Sequence, residues 1–159
     1  MAIRNIVKTG DIILTKKCRK VEKFDQRLQQ IIEDMKETMI QARGCGLAAP
    51  QIGILRRYAV VDLSRDASDI VVLINPEIIK TEGEQQEVEG CLSCPNEFGI
   101  VKRPQKVTVK AQDINGEEFT IEGQGLVARA FCHEIDHLDG ILFTDKCIRR
   151  LSPEELEEA

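Results

Sequence analysis

The sequence predicts an α+β fold: antiparallel β-sheets packed around a central helix that carries an H-E-x-x-H motif. Three observations point to it. β-rich runs fill the middle of the chain, and an Asn115-Gly116 pair separates two of them as a hairpin turn would. Helical periodicity then returns at about Leu126, over the stretch holding the only two histidines.

Before that β-rich region, Phe24-Asp25 precedes an apolar series at Leu28, Ile31, Ile32, Met35 and Met39. These positions recur every three or four residues. Asp25 is therefore expected to cap a helix that the Gly44-Cys45-Gly46 turn ends. Runs 58–63 and 70–74 read as strands, and Asn75-Pro76 is expected to stop the second. Runs 107–111 and 118–121 flank Asn115-Gly116 as the two arms of a hairpin. From about Leu126 to Leu138 the chain reads as helix. Val127, Phe131, Ile135 and Leu138 form one apolar stripe, with Leu126, Ala130, His133 and His137 on the neighbouring face. Gly140 is placed to end that helix.

Composition limits the function classes. At 159 residues the chain is expected to form one catalytic domain over 1–159, with 146–159 a short polar tail. A net charge of −5, with no basic stripe in the sequence, argues against specific nucleic-acid binding. The first residues hold no long apolar run, so neither a signal peptide nor a membrane span is expected. The six cysteines (18, 45, 91, 94, 132, 147) then read as reduced thiols of a cytoplasmic protein, expected as a monomer.

The chemistry concentrates in His133-Glu134-Ile135-Asp136-His137. On a helix, residues four apart share a face, so both imidazoles can reach one metal ion. Glu134 projects beside them, where a carboxylate can accept a proton from activated water. With only two histidines in the chain, this arrangement arises by chance about once in a thousand such sequences. A third ligand is needed. A downstream histidine would stand at 143, which is Phe143. Glu157 is a second option, as in a metalloprotease, but it lies in a polar segment that reads as solvated. Cys91, within Glu89-Gly90-Cys91-Leu92-Ser93, is the better donor. Cys94 completes a C-x-x-C, so a closed zinc module of Cys91, Cys94, His133 and His137 remains an alternative. The interval from Cys94 to His133 far exceeds that of a compact finger, and a closed site leaves Glu134 without a use. No helix signal begins at Cys91, as a redox C-x-x-C would require.

Three segments resemble the motifs of the peptide deformylase family, in the same order and at the same separations. They are Gly44-Cys45-Gly46-Leu47-Ala48-Ala49-Pro50-Gln51, Glu89-Gly90-Cys91-Leu92-Ser93 and His133-Glu134-Ile135-Asp136-His137-Leu138-Asp139-Gly140. The similarity runs from Met1-Ala2-Ile3-Arg4 to about residue 145. Cys132 stands where many members have Gln, and the acidic end, Glu154-Glu155-Leu156-Glu157-Glu158-Ala159, lacks the longer basic helix of some members.

The resemblance implies removal of the formyl group from the N-terminal formyl-methionine of new polypeptides. It implies that Cys91, His133 and His137 hold one divalent ion, typically Fe2+, which Zn2+, Ni2+ or Co2+ can replace. Glu134 would carry the proton, and the Gln51 side-chain amide and Leu92 backbone N–H would face the oxyanion. Backbone at Gly44, Cys45 and Gly46 would pair with the N-formyl-methionyl polypeptide as an added strand. Ala130 and Leu126 would line the methionine pocket, although core packing is the simpler expectation for Leu126. Glu89 would be a buried partner of an arginine, with Arg103 the candidate and a rim carboxylate the alternative. Read from its place on the helix, Asp136 is expected to accept from a histidine ring or nearby backbone, with a solvated position the alternative. Any ribosome contact would be transient, and the acidic tail does not offer the basic helix by which some members are thought to dock.

Overall fold

The computed structural model describes residues 2–152, 154 and 155. Its elements are α1 (Gln26–Gln41), β1 (Gly46–Ala48), β2 (Tyr58–Asp62), β3 (Ile70–Glu82), β4 (Gln85–Cys91), β5 (Cys94–Arg103), β6 (Lys106–Gln112), β7 (Glu118–Gln124), α2 (Leu126–Leu138), α3 (Phe143–Lys146) and β8 (Cys147–Arg150). One antiparallel sheet has the order β1-β2-β3-β6-β7, and a second has the order β4-β5-β8. Helix α2 packs against strands of both sheets, as the expected fold class requires. Among the described residues, no helix is long and apolar enough to cross a membrane.

Helix α1 begins where its capping residue predicts: the Asp25 carboxylate accepts from Leu28 N at 3.0 Å. Leu28, Ile32, Met35 and Met39 are buried against Leu47, Tyr58, Val60 and Ile74, so the helical period matches one side of the five-stranded sheet. The helix ends differently from the expectation. Arg43, not a glycine of the following turn, takes the left-handed conformation at φ 58°, and Gly44 N donates to Met39 O.

Strand β3 does not stop at Asn75-Pro76 but runs on to Glu82. Asn75 adopts φ 52° at a register shift between Ile74 and Glu77, so the ladder omits Pro76 there and resumes beyond it. Its side chain ties the irregularity to neighbouring segments. Oδ1 accepts from Val21 N at 2.8 Å, and Nδ2 donates to Val21 O at 2.9 Å and Gln112 Oε1 at 2.7 Å. The β6–β7 hairpin forms at Asn115-Gly116 through a five-residue loop in which Asp113 Oδ1 accepts from Asn115 N and Glu117 N.

The second sheet contains strands that the sequence did not mark. Pro95, Asn96 and Gly99 dilute the β signal of β5, which nevertheless pairs along Val101 and Ile100 with β4. The segment expected to be a polar tail contributes β8: Gly99 pairs with Arg150 and Ile100 with Arg149. Glu157 lies outside the described residues, and the metalloprotease alternative built on it lies there too.

Helix α2 has the expected bounds. Gly140 follows it at φ 76°, and a Cβ there would lie 2.5 Å from Thr15 O. That glycine thus both ends the helix and lets the N-terminal segment cross it closely.

Asn75→Ala is expected to lower the unfolding free energy by about 2–3 kcal/mol, since Val21 N–H and C=O lose their partners and Ala must hold a left-handed φ. Urea denaturation of both proteins carrying the same metal measures this. A loss below about 0.5 kcal/mol would mean that β3 passes Pro76 without help from Asn75.

Candidate metal centre

His133 and His137 lie one turn apart on α2, their Nε2 atoms separated by 3.2 Å. The β4–β5 hairpin carries Cys91 to the same point, its Sγ 3.3 Å from His137 Nε2. The three donor atoms lie within 4.8 Å of one another. A tetrahedral ion about 2.0–2.1 Å from nitrogen and about 2.3 Å from sulfur would separate its ligands by about 3.3–3.6 Å, so the spacing fits. Cys94 is not part of this group among the described residues. It is buried in an apolar cluster with Leu14, Val101, Leu142 and Phe143. Cys132 is buried against the five-stranded sheet, also outside the group.

The surroundings of the donors set which atom of each faces the centre and what a cation would displace there. His133 Nδ1 lies 2.9 Å from Glu89 Oε1. Because burial is outweighed by bonds from His133 and Arg103, the Glu89 carboxyl is held down to about 2. An ionised carboxylate can only accept, so Nδ1 carries the hydrogen; burial lowers the ring's proton affinity but the Glu89 bond outweighs it, so Nε2 faces the centre as the atom for which a cation would displace a proton. Burial holds His137 well below the ordinary imidazole range, and therefore neutral. The hydrogen bond with Cys94, together with burial, raises the Cys91 thiol, so a thiolate there needs a positive partner. One sulfur and two imidazole donors suit iron, cobalt, nickel or zinc better than a hard ion.

Behind His133 lies a buried ion network. Arg103 grips Glu89 with two bonds, Nε to Oε2 and Nη2 to Oε1, both 2.9 Å. Its Nη1 donates to Asp136 Oδ2 at 2.6 Å, and Lys146 Nζ donates to Asp136 Oδ1 at 3.1 Å. Arg103 is thus the partner expected for Glu89. Asp136 serves these two cations rather than a histidine ring or backbone group. Arg129 was missed: it also donates to Glu89 Oε2, and to Val101 O at 3.1 Å. Its position one turn before His133 on the same helix face was the available signal.

On the open side, Glu134 is 3% exposed, and its Oε1 has no partner among the described residues. Burial, only partly opposed by His133, pushes its carboxyl up to about 7. A Cβ at Gly46 would lie 2.5 Å from Glu134 Oε2, so the glycine makes room for the acid. Gln51 Oε1 accepts from Ala48 N at 2.9 Å, which turns its amide N–H toward Ser93 Oγ at 3.1 Å and Cys91 Sγ at 3.6 Å. Ser93 was not singled out from the sequence.

A cavity of about 350 Å³ opens here, with Gly44, Cys45, Gly46, Leu92, Leu126 and Ala130 among its lining residues. Leu126 is 41% exposed at this cavity, so the core expectation for it does not hold, whereas Ala130 is buried. Strand β1 is the edge of the five-stranded sheet, paired on one side only.

Two imidazoles and a thiol converging beside a buried carboxylate, at the foot of a cavity, define an α+β metallohydrolase site. Residues 3–153 match the family described as polypeptide deformylase. A peptide deformylase of Caldicellulosiruptor bescii is 59% identical over 158 residues, covering 99% of this chain and 93% of the relative. One of Acetivibrio thermocellus is 52% identical over 157 residues, covering 99% and 91%. The crystal structure of a peptide deformylase from Legionella pneumophila superposes with a TM-score of 0.89 at 47% identity, covering 99% of this chain and 90% of that one. That of Synechococcus elongatus, in complex with actinonin, gives 0.86 at 41% identity, covering 98% and 83%. The chain belongs to the polypeptide deformylase family, metal-dependent hydrolases that remove N-formyl groups from nascent polypeptides.

Cys91→Ala is expected to purify without metal, while Cys94→Ala keeps its metal. Elemental analysis of both proteins measures this. Equal loss from Cys94→Ala would restore the closed four-ligand reading.

Proposed function

We propose that this chain deformylates N-formyl-methionyl polypeptides at a centre formed by Cys91, His133 and His137, with Glu134 as its proton carrier. The observation that carries the reading is the buried Glu134 carboxyl beside the three converging donors, in the space that Gly46 leaves. A divalent ion held by these donors supplies Lewis acidity, making water acidic near neutral pH and polarising the formyl carbonyl.

The chain's own groups do the rest. Glu134, with a carboxyl near neutrality, takes the proton of the attacking water and returns it to the departing amine. The Gln51 amide, held by Ala48 N and Ser93 Oγ, and the backbone N–H of Leu92 stabilise the tetrahedral oxyanion. The substrate backbone pairs along Gly44, Cys45 and Gly46 at the open edge of β1, and the methionine side chain enters the cavity past Leu126 and Ala130. Glu89 acts through His133, fixing its tautomer and ring.

The proposed resident ion is Fe2+, with Zn2+, Ni2+ or Co2+ able to replace it, since the sulfur and nitrogen donors accept all four. We infer a single-domain monomer over 1–159 working in the cytoplasm, where reduced thiols persist. Contact with the ribosome is transient in this reading. The acidic end, Glu154 to Glu158, would be repelled by RNA phosphate.

Two measurements test these roles. Glu134→Gln is expected to keep metal and fold yet release formate from a formyl-Met peptide ~10²–10⁴-fold more slowly. An active variant would leave the reaction without its base. Metal-free protein reconstituted under argon is expected to be most active with iron and to lose that activity in air. The zinc, nickel and cobalt forms are expected to last. Equal rates and lifetimes for iron and zinc would show that the site does not depend on iron.

A further inference from the structure

We propose that Cys94 is a resolving thiol, which forms a reversible disulfide with Cys91 when a hydroperoxide enters the site, releasing the metal and sparing Cys91 from irreversible oxidation. The inference rests on Cys91 being a metal ligand.

Placement carries it. Cys91 and Cys94 are direct partners across the Leu92-Ser93 turn that joins β4 to β5. Residues directly opposite in an antiparallel pair have Cα atoms about 4.5–5.5 Å apart and side chains on one face. That separation falls inside the roughly 4.4–6.8 Å range that a disulfide needs. Cys94 belongs to the buried apolar cluster against which Cys91 packs, and both residues line the substrate cavity, through which a small oxidant can reach them. The ladder is interrupted next to this pair, where Gly90 of β4 faces residues 95–98 of β5, so this end of the hairpin can shift without breaking the rest of the pairing. The C-x-x-C here closes a hairpin rather than opening a helix, which suits a switch that takes a ligand away rather than an electron-transfer motif.

The chemistry balances. The Cys91 sulfur attacks one oxygen of the hydroperoxide, an S–O bond forms, the O–O bond breaks, and the other oxygen leaves as water or an alcohol. The Cys94 sulfur then attacks the Cys91 sulfur, the S–S bond forms, the S–O bond breaks, and water leaves with the Cys94 proton. Two electrons pass from the two sulfurs to the peroxide. A dithiol reverses the change by forming its own disulfide and returning both protons. With its sulfur engaged, Cys91 no longer offers a thiolate, and two imidazoles alone hold the ion weakly.

The test uses zinc-loaded protein, because zinc has no redox chemistry of its own. Hydrogen peroxide is added, released zinc is read with a coloured chelator, and the segment holding Cys91 and Cys94 is mapped by mass spectrometry. Dithiothreitol and fresh zinc follow. In the unaltered chain, zinc is expected to leave as that segment becomes two hydrogens lighter, and reduction is expected to restore zinc binding. In Cys94→Ala and Cys94→Ser, Cys91 is expected to gain two or three oxygens, with recovered zinc binding about tenfold lower. Three results would overturn the inference: an over-oxidised Cys91 beside a free Cys94 in the unaltered chain, a Cys94–Cys147 link instead, or full recovery in both variants. If untreated Cys91→Ala still holds zinc, the ligand assignment fails. If that variant is metal-free and the unaltered chain forms no Cys91–Cys94 link, only the switch fails.

Discussion

The buried carboxylate of Glu89 is the constraint on which the centre depends. It receives Arg103 from β5, Arg129 from α2 and the ring of His133, and so ties both long strands of the small sheet to the helix that carries both histidines. An ionised group at this depth survives only when its oxygens are filled, and removing one partner from such a network leaves an uncompensated charge. Asp136 balances the second arginine through Arg103, and the partly exposed Lys146 adds a rim contact to it. The network therefore does two jobs at once. It holds β4, β5 and α2 in one arrangement, and it fixes which nitrogen of His133 carries the proton.

From that anchor, backbone contacts place the remaining groups. The N-terminal segment crosses both halves of the site: Val7 N donates to Gln51 O and Thr9 N to Ser93 O, each at 2.7 Å. Gln51 and the Cys91–Cys94 turn are thus held from behind by the same stretch of chain. The close passage of Gly140 under Thr15 O secures the far end of α2 to the segment just beyond. Preorganisation of this kind matters because hydrogen-bond donors aimed at a developing charge contribute most when they need not reorient.

Glu134 and Gly46 form a second coupled pair. The helix buries the acid, which raises its proton affinity, and the edge strand gives up a side chain so that the acid fits. The same missing side chain leaves the edge of β1 open to another backbone. One glycine therefore serves both the buried acid and the open strand edge, and any larger residue would disturb both together.

Much of this was legible in the sequence because it is local. Asp25 caps the residue three positions on, His133 and His137 stack at a helical repeat, and Asn115-Gly116 bends two adjoining strands. Each depends on neighbours within one turn or one hairpin. Three motifs in order also located Cys91, although spacing alone left Cys94 in contention. The tertiary structure decided what joins distant segments. Asn75 carries β3 past a proline by bonding Val21, residues 147–150 find β5, Arg129 reaches Glu89, and Cys94 is buried in an apolar cluster beside Cys91, whose sulfur meets the histidines. The physical reason is that periodicity records which face a residue presents. Which groups that face will meet is set only when chain segments far apart in sequence pack together and their buried polar atoms find partners.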